Sequence, residues 1–394
     1  DPEWMFGVED GFDIVIGNPP YGVKVEKFNS QYYKFYDKQK NSASFFIEKA
    51  SEIVKNKGIV AYIVPKSLTF SEGWYKTREL ILNESTLKTI IDVSKAFERV
   101  RLEQVIIVYE KYKSEKDYKF LIGDNWNSKI EVKGYSTKSL AQNLNTIPVY
   151  IDDEKLKILN KLLEDSIMLD SISETSRGLP FQRKISKNGN LYILRGKNIK
   201  KYAIYGELDK ISLTTEELRK KKVKEILKPK IISQNIVAHV MNPYDRIIIM
   251  ATLDKEGILT LDTVMNTFIT NQNYSYQYIL ALLNSKLAEW YFYWFVFNRA
   301  IRTMHFDKYY MGKLPVKKIT LDQQRPFIDL VDKILELTSK PDYETNPTLQ
   351  QKVNEYSSQI DQLVYQLYNL TDEEIERIER KIKKETDNNI AQEL

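Results

Sequence analysis

Four short runs of mostly β-branched, apolar residues constrain the fold of the first third of the chain more than any other feature. The runs lie at residues 13–17, 58–64, 89–93 and 105–109. Continuous apolar runs of this length are typical of strands that are covered on both faces. Apolar residues recur at helical spacing over residues 42–56, between the first two runs. This order of strand, helix and strand predicts a parallel sheet in an α/β fold.

The pattern changes twice beyond the first third of the chain. Residues 148–318 mix strand-like pieces such as LYILR and KIISQNIV with one helical stretch, YSYQYILALLNSKLAEWYFYWF. Residues 319–394 are helical in pattern, and Thr371 with Glu374 predicts a capping box that opens a helix. We therefore divide the chain into three parts, residues 1–147, 148–318 and 319–394.

Apolar residues in the last part form the pattern of a helix–helix seam. From Leu349 to Leu370 they alternate spacings of four and three residues. Packing within the chain, against a helix predicted near residues 327–337, is the simpler interpretation. Self-association of two chains through residues 349–370 is the alternative.

Composition excludes several kinds of site. The chain has no cysteine, which rules out disulfides, thiolate zinc sites and cysteine nucleophiles. Two histidines, His239 and His305, are too few for a multi-histidine metal centre, and we expect no metal. No apolar run reaches the ~20 residues that a membrane-spanning helix needs. We therefore expect a cytoplasmic protein with no membrane partner.

Charge is unevenly distributed along the chain. Residues 148–318 hold 28 Lys and Arg residues against 18 Asp and Glu residues, a net charge of +10. The net charge is +2 before this basic block and −7 after it. A basic block is the expected footprint of a surface that binds a polyanion.

One motif directly follows the first predicted strand. Asn18-Pro19-Pro20-Tyr21 stands at the carboxyl end of that strand, where parallel α/β sheets place their sites. The prolines fix the backbone and hold the Pro19 carbonyl and the Asn18 side chain rigidly. If these two oxygens accept the hydrogens of an adenine amine, the nitrogen becomes more nucleophilic without a histidine base. Tyr21 and Phe97 offer faces on which a flipped base stacks. The alternative interpretation is a plain turn.

The motif and its surroundings resemble a known family. DIVIGNPPY is similar to motif IV of the gamma-class adenine-N6 DNA methyltransferases, particularly those in type IIG and related restriction–modification enzymes. NSASFFIEKASEIV, GIVAYIVPKSL and IIDVSKAFERVRLEQVIIVYEK resemble the segments that follow in that family, with Phe97 at the place of the second base-stacking aromatic residue. Residues 148–318, including SRGLPFQRK, YILRGKNIKKY, KPKIISQNIVAH and HFDKYYMGKLPV, are similar to the TaqI-like C-terminal specificity domain.

The resemblance implies a fold, an activity and a partner. The fold is α/β: part of a doubly wound methyltransferase sheet, then a mixed α+β target-recognition domain and a C-terminal helical segment. The activity is methylation of adenine N6 at specific sites in double-stranded DNA, with S-adenosylmethionine as donor and residues 18–21 as the catalytic loop. The candidate DNA contacts are basic residues of the middle block: Arg183, Lys184, Arg195, Lys197, Arg299 and Arg302. For the last two, solvation beside an aromatic helix is an equal alternative.

The chain also departs from the family. Such enzymes bind S-adenosylmethionine with a glycine-rich loop on an earlier strand, and no G-x-G occurs among the 14 glycines. We expect an N-terminal part of the same polypeptide to complete the cofactor site, and this fragment to be inactive alone. Two alternatives remain open: a module that only recognises DNA, and a methyltransferase for RNA or protein glutamine. The basic block favours a nucleic acid over a protein, and the preference for DNA over RNA rests on the resemblance.

Overall fold

The computed structural model describes residues 2–20, 34–35, 41–94, 102–126, 129–241, 245–300 and 304–381. The predictions for Tyr21, Phe97 and Arg302 fall outside these residues. The chain divides into two compact units. Unit 1 comprises Asp1–Leu156 with Trp294–Ala300, and unit 2 comprises Lys157–Tyr293 with Ile301–Leu394. The three-part division at residues 147 and 318 stays a prediction.

Helices occur along the whole described chain. They are α1 (Pro2–Phe6), α2 (Ser42–Ile53), α3 (Tyr75–Glu79), α4 (Lys138–Leu144), α5 (Asp153–Leu163), α6 (Thr215–Arg219), α7 (Lys221–Ile226), α8 (Tyr276–Asn284), α9 (Lys286–Tyr291), α10 (Lys308–Met311), α11 (Leu321–Thr338), α12 (Pro347–Leu367) and α13 (Asp372–Glu376). Within the described residues, no helix is long and apolar enough to cross a membrane.

A mixed sheet forms the centre of unit 1, in the order β1-β2-β4-β3-β5-β6. Its strands are β1 (Phe12–Gly17), β2 (Val54–Pro65), β3 (Thr86–Ser94), β4 (Gln104–Glu110), β5 (Lys119–Trp126) and β6 (Lys129–Thr137). The four apolar runs are confirmed as β1 to β4, and β1 pairs in parallel with β2 as predicted. β4 is antiparallel to both of its neighbours, since only nine residues connect it to β3 and a parallel crossover needs about a dozen or more.

The prediction that these runs are covered on both faces is wrong for β1. Ile14 is 58% exposed and Ile16 is 77% exposed. The reason is position, because β1 is the last strand at one side of the sheet and pairs only with β2 among the described strands. In contrast, Ile90 of β3 and Ile107 of β4 lie between neighbouring strands and are fully buried.

Unit 2 contains several small sheets. Its strands are β7 (Ser166–Met168), β8 (Ser173–Arg177), β9 (Leu191–Leu194), β10 (Ile199–Lys200), β11 (Ala203–Ile204), β12 (Asp209–Ile211), β13 (Lys230–Gln234), β14 (Ile236–Val240), β15 (Arg246–Ile248), β16 (Ala251–Asp254), β17 (Leu259–Thr260), β18 (Val264–Ile269), β19 (Met304–His305) and β20 (Pro315–Lys317). The sheet orders are β16-β13-β18-β8, β12-β9-β17, β15-β14-β19, β10-β11 and β20-β7. Ile193, Ile211 and Leu259 pack with Val223 and Ile226 of α7 in one buried cluster.

The predicted helical stretch in the middle of the chain is divided at Ser285. This residue has extended backbone angles and ends α8. Its hydroxyl then accepts a hydrogen bond from the backbone N–H of Ala288 at 3.1 Å, which caps α9. A single serine therefore both stops one helix and starts the next.

The seam in the last part of the chain packs within the chain. α11 and α12 lie against each other, with Val331 and Ile334 buried on α11 and Val353 and Ile360 buried on α12. This agrees with the simpler interpretation of the seam, and self-association stays a prediction. The capping box is confirmed at α13, where the Thr371 hydroxyl and the Glu374 carboxylate accept each other's backbone N–H.

Asp361 of α12 is buried, and this burial raises the pKa of its carboxyl group to about 6. The carboxylate accepts a 2.9 Å hydrogen bond from the backbone N–H of Lys286. The positive charges of Lys286 and Lys201 act in the opposite direction to burial, and the negative charge of Glu289 acts with it. The folded pKa lies above the unfolded value, so the protonated Asp361 carboxyl group stabilises the fold at low pH. This contribution to the free energy of unfolding is lost as pH rises through about 6.

We predict that Asp361→Asn removes this pH dependence. Between pH 4 and pH 7 the free energy of unfolding of the variant should rise relative to wild type by up to about 3 kcal/mol. Urea unfolding at several pH values measures the difference. The matched control is Asp322→Asn, at an exposed position in the first turn of α11. A difference that stays constant with pH contradicts the prediction.

Candidate active site

The parallel pairing of β1 with β2 places two chain segments at one edge of the sheet. Gly17 pairs with Tyr62, so Asn18-Pro19-Pro20 leaves β1 at the same edge where β2 ends and Lys66 follows. A Cβ atom on residue 17 would lie 2.9 Å from the Tyr62 ring. A larger residue at position 17 would therefore require the Tyr62 ring to shift.

The segment Asn18-Pro19-Pro20, called the turn below, follows β1 without regular secondary structure, and its three residues differ in exposure. Pro19 is buried, whereas Asn18 and Pro20 are exposed. The proline rings fix φ at residues 19 and 20, and residues followed by proline favour extended backbone, which applies to both Asn18 and Pro19. The turn thus combines a restricted backbone with an accessible amide side chain next to a peptide carbonyl. Such a pair of oxygens accepts two hydrogen bonds from one NH₂ group.

Lys66 is the centre of a buried ion cluster at the same edge of the sheet. Its ammonium nitrogen lies 3.0 Å from Glu103 Oε1, 3.2 Å from Asp92 Oδ2 and 2.8 Å from the Tyr150 hydroxyl. Asp92 is near the carboxyl end of β3, and Glu103 directly precedes β4. Sequence reasoning missed this cluster. The available signals were a lysine directly after a buried strand and an aspartate within an apolar run.

β5, which pairs in parallel with β3, adds Asp124 to the same sheet edge, opposite Asp92. Burial raises the pKa of Asp124 on β5, and the negative charge of Asp92 acts in the same direction. Lys133 of β6 lies 3.5 Å from the Asp124 carboxylate and lowers its pKa. Among the described residues, no group of three His, Asp or Glu side chains is arranged to hold a metal ion.

Arg299 belongs to unit 1 and packs on aromatic rings. Its guanidinium carbon lies 4.9 Å from the centre of the Tyr150 ring and 5.1 Å from that of Trp294. Asn298 and Arg299 both have positive φ angles. The Asn298 side chain is fully buried and donates hydrogen bonds to the Thr69 hydroxyl at 2.8 Å and to a carbonyl oxygen at 2.9 Å.

The other four candidate DNA contacts lie in unit 2 and are of two kinds. Lys184 forms an ion pair with Glu217, and Arg195 forms one with Asp209 at 2.5 Å. Arg183 and Lys197 are exposed. Lys184 and Arg195 therefore already have carboxylate partners within the chain, Glu217 and Asp209.

Unit 2 also contains two exposed tyrosines, each with a lysine ammonium group over its ring. Lys210 lies 5.6 Å from the centre of the Tyr192 ring, and Lys200 lies 5.6 Å from that of Tyr205. Both tyrosines are exposed, Tyr192 by 56%. Sequence reasoning missed these pairs, although alternating aromatic and basic residues were a readable signal. Aromatic faces beside positive charges are typical of surfaces that bind nucleic acids.

Two family models match the chain. Residues 2–98 match the Eco57I restriction-modification methylase model, and residues 191–316 match the TaqI-like C-terminal specificity domain. The predicted resemblance is confirmed. Asn18, Pro19 and Pro20 lie within the methylase match, and Arg195, Lys197 and Arg299 lie within the specificity-domain match.

Individual proteins show the same similarity. RM.MjaORFECS2P of Methanocaldococcus jannaschii, a candidate type II restriction enzyme and methyltransferase, is 24% identical over 386 residues. The match covers 91% of this chain and 31% of that protein, so the chain spans about a third of the length of this curated relative.

Solved structures of two restriction–modification enzymes are also similar. The type IIL restriction-modification enzyme MmeI in complex with DNA matches with a TM-score of 0.56 and 12% identity, over 93% of this chain and 56% of that one. The type IIG restriction endonuclease BpuSI matches with a TM-score of 0.34 and 14% identity, over 91% of this chain and 54% of that one. At these identities, the MmeI match establishes a likeness of fold alone.

Proposed function

We propose that the chain is the catalytic-loop and target-recognition portion of an enzyme that methylates adenine N6 in double-stranded DNA. The observation that carries the proposal is the Asn18-Pro19-Pro20 turn at the carboxyl edge of β1, with its exposed asparagine side chain and restricted backbone. The methylase and specificity-domain matches support the same function. Since the target of such an enzyme is cellular DNA, we infer a cytoplasmic location.

The turn acts on the exocyclic amine of the target adenine. The lone pair of this nitrogen is delocalised into the ring, which makes the amine a poor nucleophile. The Asn18 side-chain oxygen and the Pro19 carbonyl accept its two hydrogens and favour a tetrahedral nitrogen whose lone pair points at the methyl group. Because the acceptors are preorganised, they stabilise the transition state without a histidine base. Tyr21 and Phe97 are proposed to stack on the flipped base.

S-adenosylmethionine is the methyl donor that the family matches imply. The chain has no G-x-G loop, so its own residues do not fit this cofactor by themselves. We infer that residues outside the chain complete the cofactor site in a longer polypeptide.

The DNA partner is proposed from charge and from fold. The middle block has a net charge of +10, and Arg183 and Lys197 are its exposed candidate contacts. MmeI, which is similar in fold, was solved in complex with DNA. This supports duplex DNA over RNA or a protein as the substrate. The two candidates with carboxylate partners, Lys184 and Arg195, are expected to contribute less to binding.

We predict that Asn18→Ala, made in the longer polypeptide, lowers methyl transfer by at least about 100-fold because one preorganised acceptor is lost. Affinity for DNA should change by less than about threefold, since phosphate contacts dominate binding. Incorporation of labelled methyl groups into unmethylated genomic DNA measures the rate. Asn354→Ala, at an exposed position of α12, is the matched control. Activity of the Asn18 variant within tenfold of wild type rejects the assignment of the loop.

We predict that the 394-residue chain alone shows no methyl transfer and only weak binding of S-adenosylmethionine. The reason is the absence of a glycine-rich loop from its sequence. Isothermal titration calorimetry with the chain alone measures the affinity. Saturable micromolar binding would show that the cofactor site is more complete than we infer.

We predict that Arg183→Ala and Lys197→Ala each weaken DNA binding and reduce the salt dependence of log Kd by about one unit, as the loss of a phosphate contact does. Lys184→Ala should have a smaller effect because Glu217 already neutralises that charge. Fluorescence anisotropy with duplex DNA at several salt concentrations measures the slopes. Lys340→Ala, an exposed lysine after α11, is the control. Slopes equal to that of the control would remove both residues from the DNA surface.

A further inference from the structure

The first turn of α2 touches the candidate catalytic turn. The Ser42 hydroxyl donates a hydrogen bond of 2.5 Å to the Pro20 carbonyl oxygen. The donor residue Ser42 is 5% exposed, whereas the acceptor residue Pro20 is exposed. The proline rings fix φ on both sides of the Pro19–Pro20 peptide, and the Ser42 bond holds the carbonyl at the far end of the turn.

The Ser42 hydroxyl is not needed to cap its own helix. Asn41 is the N-cap residue of α2, and its side chain accepts a hydrogen bond from the Ala43 N–H at 3.0 Å. Ser44 is also buried, and its hydroxyl donates a 2.8 Å hydrogen bond to the Asn41 carbonyl oxygen. Of the two serines in the first turn of α2, Ser42 donates its hydroxyl hydrogen bond to the Asn18-Pro19-Pro20 turn and Ser44 does not.

A second polar residue on the buried side of α2 holds the chain that comes after the turn. The Glu48 carboxylate accepts backbone N–H groups from Lys34 at 2.6 Å and from Phe35 at 3.2 Å. Glu48 is 6% exposed, and burial raises its pKa. A buried carboxylate is costly unless it is hydrogen-bonded, and here both of its oxygens have backbone donors. An apolar residue would pack at this position at lower cost but would leave those donors unpaired.

We propose that Ser42 and Glu48 are positioning residues for the Asn18-Pro19-Pro20 turn. This inference rests on the proposed methyl transfer. α2 acts as a rigid platform: Ser42 fixes the end of the turn, and Glu48 fixes the returning chain at residues 34–35. Neither side chain contacts the reacting atoms. They act by holding the two acceptor oxygens within the narrow range of positions that the reaction tolerates.

The test compares variants of the two serines at the start of α2 in the longer polypeptide. Ser42→Ala is expected to lower kcat by about 10- to 100-fold, the usual cost of a displacement near 1 Å, and to leave KM for S-adenosylmethionine and Kd for DNA within about threefold. Ser42→Thr keeps the donor and should recover most of kcat. Ser44→Ala, with the same burial and no bond to the turn, should stay near wild type. Urea unfolding verifies that each variant is folded.

A second pair of variants tests the other anchor. Glu48→Gln replaces one acceptor oxygen with an NH₂ group that opposes a backbone N–H, and should lower kcat without changing Kd for DNA. Glu52→Gln, an exposed glutamate on the same helix, is the control. If Ser42→Ala fails to fold, Ser42→Cys keeps the volume with a weaker donor, and its kcat decides.

The outcomes separate the positioning role from the proposed function. Equal kcat values for Ser42→Ala and Ser44→Ala, with Asn18→Ala inactive, would overturn the positioning role alone. Full activity of Asn18→Ala would overturn the proposed function, and the positioning role with it. A fall in kcat for Ser42→Ala that Ser42→Thr does not recover would show that the hydroxyl bond is not the cause, and would also overturn the role.

Discussion

The buried ammonium group of Lys66 is the interaction on which the carboxyl edge of the unit 1 sheet depends. Moving an ion pair out of water costs several kcal/mol, and the cost is offset only when the geometry is good and every donor is satisfied. Asp92, Glu103 and Tyr150 supply that geometry, and they come from three separate segments. The ends of β2, β3 and β4 must therefore be aligned before the charge can be buried. The Asn18 turn follows β1 at the same edge of the sheet.

Much of the unit 1 sheet could be predicted because its information is local. Each of β1 to β4 is a continuous apolar run, and the helical spacing of residues 42–56 implied the parallel pairing of β1 with β2. The Asn18-Pro19-Pro20 turn was predictable for the same reason, since both its position after a strand and its stiffness follow from adjacent residues. The capping box of α13 is likewise a pattern of four neighbouring positions.

The features that could not be predicted depend on partners far apart in the sequence. The Asn298 side chain donates a hydrogen bond to the Thr69 hydroxyl, 229 positions earlier in the sequence. Trp294–Ala300 belongs to unit 1 through such distant contacts, which no local pattern predicts. β5 and β6 carry too many polar residues to show as apolar runs. Ser42 reads as an ordinary residue at a helix start, and only the structure shows that its hydroxyl bonds Pro20. The exposure of β1 depends on its position in the sheet, which its own residues do not encode.

Among the described strands, β1 is the edge strand of the unit 1 sheet, and its position bears on how the chain meets other extended segments. An unpaired strand edge is a template for any extended segment that meets it, and natural edges are protected by charges, prolines or bulges. FDIVIG has one charged residue, Asp13, and Ile14 and Ile16 are exposed on it. Among the described strands β1 has no partner on its outer side, so this edge is a place where an extended segment of a second copy can pair. A lysine at position 14 or 16 would place a further charge on this strand, which is one of the ways in which natural edge strands are protected against such pairing.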